Sequence, residues 1–253
     1  VSPADVGVYL DELSLCIASK KQVLAGLRYF CDGMVTRHAI ALNLALSVRG
    51  ERYQVVEGKT PEITINQARK LLASIDTNIV VGLHDKAIIS ILVYTASRIG
   101  AVAALKVKDL YDVGDQYCLH FIDKGGKSRA IPVRHDLQQL LRLYLQATGL
   151  QLGDPSVRPL FVTTIRRTGV LSDRPMSPGD MSRMIKRRMK ACGLPSRLSP
   201  HSFRVAVIKN LLCQGLPLED IQNLAGHADP RTTRLYDRRQ KTVTRNIVER
   251  ISI

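Results

Sequence analysis

The stretch "RTTRLYDRR", residues 231–239, surrounds a single tyrosine, Tyr236, with Arg231, Arg234, Arg238 and Arg239. A cationic neighbourhood favours a phenolate over a phenol, and a phenolate is a nucleophile. A tyrosine packed on a basic surface helix would show the same nine residues, so the rest of the chain must decide. "SPHSFR" (199–204) sets His201 and Arg204 three apart, on one face of a helix that Ser199 can cap and Pro200 can open. "LAGHADP" (224–230) carries His227 in a glycine-containing break, nine residues before Tyr236. "TASRIGAVAALKVKDL" (95–110) sets Arg98 at the end of an apolar helix. Taken singly, each reads equally well as surface decoration or as a cation near helix carbonyls.

Metal-assisted phosphoryl transfer has no visible parts. His38, His84, His120, His135, His201 and His227 form no H-E-x-x-H motif, and the chain has no D-x-D cluster and no Walker-type glycine loop. No metal site and no cofactor are expected. The five cysteines are scattered and never spaced C-x-x-C, which points away from a disulfide framework and towards a reducing cytoplasm. Runs such as "AIALNLAL" (39–46) and "AIISILVY" (87–94) are too short to span a bilayer, and no charged-then-apolar leader is seen. The sequence opens on Val1 rather than Met, so part of the N-terminus is expected to be missing.

Charge supplies the partner. The net charge is +15, and residues 158–253 hold 19 Lys/Arg against 7 Asp/Glu, so +12 of it lies in the last third. Such a concentration suits a polyanion through counterion release, and nucleic acid is the expected partner.

The elements that must position these residues are mostly helical. With 253 residues and an apolar fraction of 45%, the chain can build one large or two ordinary cores. The first 55 or so residues read as helix, with Ser2 as a cap, Pro3 at the first turn and a stripe of Val23, Leu27, Phe30 and Met34. "SVRGERYQVVEGKTPE" (47–62) loses that period and reads as a linker between domains. Helical patterns resume at Thr64 and run past "DKAIISILVYTASRIGAVAAL". The period then changes to two: Tyr117, Leu119 and Phe121 alternate with Cys118, His120 and Ile122, "DKGGK" turns the chain, and "SRAIPV" returns it. This is a β-hairpin. Helices follow to the end. Among them "MSRMIKRRMKACG" places Arg183, Lys186, Arg187 and Lys190 on one stripe, a phosphate-tracking face, with Met181, Ile185 and Met189 on another. The fold class is mainly α with a small antiparallel β-sheet.

In chain order, Arg98, Lys124 in the hairpin turn, His201-x-x-Arg204, Gly226-His227 and Tyr236 resemble the tyrosine recombinase (phage integrase) family. The surrounding words agree: "KGGKSRAIPV", "LAGHADPRTTRLYDRR" and the ending "VTRNIVERISI". The resemblance covers nearly the whole chain. It implies a helical core-binding domain over 1–56, short at its N-terminus, a linker over 57–62 and a catalytic domain over 63–253. It also implies a site-specific DNA recombinase in which Tyr236 attacks a DNA phosphodiester, leaving a 3′-phosphotyrosyl link and a free 5′-hydroxyl without metal or ATP. By the same resemblance Arg98 and Arg204 fork onto phosphoryl oxygens, Lys124 protonates the leaving oxygen with Lys127 in reserve, and His201 and His227 orient the phosphate and assist proton movement. Arg231, Arg234, Arg238 and Arg239 then hold DNA backbone.

The sequence departs from the family's pattern at Ala101, where an acidic residue usually follows the first arginine. The partners implied are a double-stranded recombination site and a homotetramer on DNA, in the cytoplasm and away from membranes. The apolar face of "KTVTRNIVERISI" (Val243, Ile247, Val248, Ile251) is expected to dock on a neighbouring protomer. Two other readings share parts of this evidence, a type IB topoisomerase and a non-catalytic DNA-binding relative. The "LAGH" words and the retention of Arg98, Arg204 and Tyr236 favour the recombinase.

Overall fold

A computed structural model describes residues 1–52, 60–122, 126, 128–165, 168–227 and 229–236, and divides the chain into two compact units, Val1–Val56 and Glu57–Ile253. Of the expected linker, residues 57–59 lie outside the described residues.

In the first unit, helix α1 (Pro3–Glu12) starts as its sequence dictates. The Ser2 hydroxyl accepts from the Asp5 amide, and the Asp5 carboxylate accepts from the Ser2 amide at 2.7 Å. Helix α2 (Ile17–Thr36) buries Leu24, with Leu27 and Cys31 packed beside it, against Leu10 of α1 and Ala45. Phe30, expected on the apolar stripe, is 62% exposed. The stripe is rotated because the chain after α2 returns along the other side. Arg28 donates to Ala45 O at 3.2 Å and Val48 O at 2.7 Å, and Asn43 Nδ2 donates to Arg28 O at 2.9 Å. "AIALNLAL" is therefore a pinned irregular return and not a helix. Helix α2 ends at Thr36, followed by His38 in the left-handed region (φ 57°).

The second unit is built around α4 (Val80–Thr95), apolar on nearly every side and almost wholly buried. Its entry requires Gly82, where a Cβ would sit 1.6 Å from Asp76 O. Around α4 lie α3 (Ile65–Ala73), α5 (Ile99–Ala103), α6 (His135–Thr148), α7 (Pro178–Ala191) and α8 (Pro200–Cys213). A three-stranded antiparallel sheet, β1 (Leu110–Asp112), β2 (Tyr117–Ile122) and β3 (Ser128–Pro132), forms one flank, with Leu119 opposite Ile131 and Phe121 opposite Arg129. The hairpin read from the sequence is β2–β3. A second, two-stranded sheet, β4 (Val162–Thr164) and β5 (Leu171–Pro175), replaces part of the helix-and-loop region expected there. Helices α9 (Leu218–Ala225) and α10 (Pro230–Arg234) close the described chain. Among the described residues no helix is long and apolar enough to cross a membrane. The architecture is mainly helical with small antiparallel sheets.

Candidate active site

Helix α8 begins as its sequence predicts, with Ser199 as N-cap, Pro200 at the first position and the Ser199 amide donating to Ser202 Oγ at 3.1 Å. This start aims His201 and Arg204 along one face. His201 keeps an exposed edge, whereas Arg204 is 1% exposed. Arg98 stands at the N-cap of α5, two residues after Ala96, which ends α4 at φ 50° and ψ 20°. That left-handed turn presents the Ala96 carbonyl to Arg204 Nη1. For a residue with a Cβ it costs about 1–2 kcal/mol.

The C-terminus of α9 gathers the arginines. Gly226 ends the helix at φ 61°, a conformation glycine adopts without penalty. The last carbonyls of a helix have no partner within it and carry its negative end. Here three successive carbonyls each accept from a different element. Leu224 O accepts from Arg129 Nη1 of β3, Ala225 O from Arg204 Nη2 of α8 at 2.6 Å, and Gly226 O from Arg98 Nη1 at 3.2 Å. Arg129 also donates to Ser97 Oγ at 3.1 Å and lies over the Phe121 ring, 5.1 Å from its centre.

The nucleophile candidate lands in this cluster. Asp229 caps α10 by accepting from the Arg231 amide at 2.8 Å, and Pro230 opens it. Tyr236 follows and packs against the apolar group of Ala96, Ile208, Leu212, Ile221 and Ala225. Its hydroxyl lies 3.2 Å from His201 Nε2, and its ring stacks on His227 at 5.6 Å and 19°. His227 Nδ1 is 2.8 Å from Thr233 Oγ1.

The electrostatics are those of an anion site. Burial, followed by the guanidiniums of Arg204 and Arg98, pulls His227 down to about 3. The same causes in the same order lower His201. Burial and then Arg98 bring Arg204 down to about 10, with Tyr236 opposing the shift, and the guanidinium stays cationic at neutral pH. Arg204 Nε is buried with no hydrogen-bond partner. Neutral imidazoles and cationic guanidiniums around a phenol favour a negatively charged guest.

Five of the six expected catalytic residues therefore meet: Arg98, His201, Arg204, His227 and Tyr236. Lys124 and Lys127, like Arg238, Arg239 and the tail 241–253, lie outside the described residues. Arg231 and Arg234 are exposed on α10. Arg183, Lys186, Arg187 and Lys190 form a separate exposed stripe on α7, over buried Met181, Ile185 and Met189. Arg183 pairs with Asp180 at 2.6 Å, and Arg187 lies 3.6 Å from Asp85. Ala101 offers no polar group and packs against the main apolar core. Sequence reasoning missed Arg129, Ser97 and Thr233. Arg129 had left a signal: it shares its period-two phase with the buried Ile131 and Val133. Among the described residues, no three His, Cys, Asp or Glu side chains cluster as a metal site.

Residues 61–242 match the phage integrase family. The chain belongs to that family. It is 30% identical over 185 residues to the tyrosine recombinase XerD of Listeria monocytogenes (strain F2365), a match covering 71% of this chain and 58% of XerD. It is 34% identical over 157 residues to the tyrosine recombinase XerC of Rhodospirillum centenum, covering 62% of this chain and 42% of XerC. The chain thus spans less than two thirds of the length of these relatives. Its fold is that of solved integrase-family structures. The XerH site-specific recombinase bound to its palindromic difH substrate superposes with a TM-score of 0.69 at 19% identity, over 93% of this chain and 68% of that one. A lambda integrase tetramer bound to a Holliday junction gives 0.62 at 19% identity, over 96% and 68%.

Proposed function

We propose that this integrase-family chain is a site-specific DNA recombinase, acting as a tetramer on double-stranded recombination sites in a bacterial cytoplasm. The observation that carries the reading is the Tyr236 hydroxyl, 3.2 Å from His201 Nε2 and beside the buried Arg204. In the reaction, the Tyr236 oxygen forms a bond to a backbone phosphorus while the bond from phosphorus to the 5′-oxygen breaks. The phenolic proton passes to His201 Nε2, which its lowered pKa leaves free to accept it. Arg98 and Arg204 fork onto the non-bridging oxygens as charge builds there. The departing 5′-oxygen takes a proton, a role we assign to Lys124. One phosphodiester is exchanged for another, so a 5′-hydroxyl from a second strand can reverse the step and reseal without ATP. We assign residues 1–56 to the core-binding domain that clamps the duplex, residues 57–62 to the linker and residues 63–253 to the catalytic domain. The α7 stripe, Lys127, Arg231, Arg234, Arg238 and Arg239 hold backbone phosphates.

The test does not require knowing the site. Incubation with a duplex library carrying a nicked, randomised core, followed by denaturation in detergent and isolation of protein-linked DNA, recovers the cleaved sequences. The wild type is expected to yield adducts in EDTA as in magnesium. Tyr236→Phe, which deletes one oxygen and spares the ring's packing, is expected to bind the recovered duplex and form none. Adducts from the Phe variant, or activity restored only by magnesium, would overturn the proposal.

A further inference from the structure

Arg98 carries its guanidinium on a long, exposed side chain, and such a chain keeps many rotamers unless both of its ends are held. The tip rests at the end of α9, with Nη1 3.2 Å from Gly226 O. The root lies in the turn over 95–98, where Ala96 takes the left-handed conformation against its own preference. A conformation of that kind persists where its surroundings over-determine it. Two guanidiniums from other elements do so here. Arg204 Nη1 donates to Ala96 O, and Arg129 Nη2 donates to Ser97 Oγ at 3.1 Å. Ser97 is buried, and its hydroxyl oxygen also lies 2.8 Å from Thr95 Oγ1. Arg129 therefore grips a side chain that is already fixed to the end of α4.

The other arm of the Arg129 fork reaches α9. Its Nη1 donates to Leu224 O, two residues before the carbonyl that takes Arg98. The nitrogens of a guanidinium share one rigid plane, so both contacts move together. That plane lies over the ring of buried Phe121, which pairs with Arg129 across β2 and β3. One fork thus ties Ser97 to Leu224. Arg98 spans the same gap, from the residue after Ser97 to Gly226. We infer that Arg129 is a positioning residue for Arg98. It fixes the separation between the turn that carries Arg98 and the helix end on which its guanidinium rests, and so aims that guanidinium at the guest oxygen. Arg129 acts through Arg98 and not on the substrate. That the guest is a phosphoryl oxygen rests on the recombinase reading, whereas the dependence of Arg98 on Arg129 does not.

Side-chain NMR of the full chain labelled with 15N-arginine, with signals assigned by Arg98→Gln, reads that dependence without DNA. Arg129→Met removes the whole fork and keeps bulk over Phe121. Ser97→Ala removes only the hold on the turn and leaves both Leu224 O its donor and Arg129 its charge. Both are expected to shift and broaden the Arg98 signal while leaving that of Arg69 in place. On the duplex recovered by adduct capture, both should slow cleavage with DNA affinity little changed, Arg129→Met by roughly tenfold to a hundredfold. A duplex with a methylphosphonate at the cleaved position lacks one charged oxygen for Arg98 to meet. On one of its two isomers both variants should cleave within about threefold of the wild type, because the aim of Arg98 then matters little. An unmoved Arg98 signal, or an unchanged rate on the phosphodiester, overturns the inference. So does equal slowing on both substrates and both isomers, which marks a general loosening of the site. Loss of rate in Arg129→Met with none in Ser97→Ala also overturns it, since the charge of Arg129 or its hold on α9 would then be what counts. Should Arg129→Met fail to fold, Ser97→Ala carries the same tests. If the wild type itself yields no adduct, the recombinase reading fails, and the Arg98 signal still decides whether Arg129 positions it.

Discussion

Arg204 shows how the site is organised at the scale of single residues. A guanidinium at 1% exposure has lost its water, and among the described residues no carboxylate reaches it. Two carbonyls hold it, and one nitrogen is left unpaired. Such a group is costly in the empty protein and becomes strong once an anion arrives, because the surrounding dielectric is low. The histidines bear the opposite side of this arrangement. His227 releases its proton on folding, since its pKa drops from an ordinary 6.5 to about 3. The unfolded chain therefore binds more protons between those values, and stability is complete above about pH 6.5 and falls as pH drops towards 3. His201, lowered for the same reasons, acts in the same direction. Each proton taken up on unfolding contributes a slope of about 1.4 kcal/mol per pH unit. Denaturant titrations between pH 7 and 5 should show His227→Gln losing stability less steeply than the wild type; parallel curves would mean that His227 is not held neutral by the fold. Arg98, His201, Arg204, His227 and Tyr236 could be picked out of the sequence only by their order along the chain, through its resemblance to the integrase family, since singly each reads equally well as surface decoration. Thr233 could not, since only the fold sets its hydroxyl 2.8 Å from the His227 ring.

At the scale of elements, the end of α9 is the point where β3, α8 and the start of α5 converge. Arg129, Arg204 and Arg98 reach it from sequence separations of 95, 21 and 128 residues. Each side chain satisfies a carbonyl that the helix leaves open, so the segment carrying His227 and Tyr236 is anchored from three directions. Replacing Arg129 by Met should keep much of the packing over Phe121 but strand Leu224 O and leave Ser97 Oγ only the bond from Thr95 Oγ1. The expected cost is about 1–3 kcal/mol for the groups left unsatisfied. Hydrogen exchange should also quicken at the amides of α9 and α10 more than at those of α4; uniform loosening would show that Arg129 does not anchor that segment in particular. Local pattern announced the helices with a long period: α7 kept its buried methionines and exposed cations where the spacing put them. It failed where elements are short or where a distant contact sets the face. Strand β4 has three residues and its pairing with β5 is irregular, too little to display a period of two. The stripe of α2 turned away from Phe30 because Arg28 holds the returning chain, whose Asn43 donates back to Arg28 O.

For the whole molecule, charge that binds DNA must be separated from charge that holds the fold. The concentration of +12 in residues 158–253 was plain from composition, but composition cannot say which cations are already committed. Helix α7 contains both kinds. Arg188 is three-quarters covered and grips the buried Asp85 with Nε at 2.8 Å and Nη2 at 2.7 Å, across 103 residues of sequence. Lys186, two residues earlier and so on another side of the helix, is exposed on the stripe proposed to track phosphates. The two should respond differently to removal of their charge. Lys186→Gln should leave stability unchanged and weaken binding to the captured site and to random duplex alike. It should reduce the slope of log affinity against log salt by about 0.9, the loss of one phosphate contact. Arg188→Gln should leave that slope unchanged but take from the buried Asp85 carboxylate its closest cation, leaving it Arg187 at 3.6 Å and the His84 ring at 3.0 Å, at a cost of up to about 3–5 kcal/mol. Denaturant unfolding together with DNA titrations between roughly 50 and 200 mM salt separates the two effects. If Lys186→Gln left the slope unchanged, the α7 stripe would face solvent in the complex, and the excess charge of the last third would reach DNA through α10 and the residues beyond it.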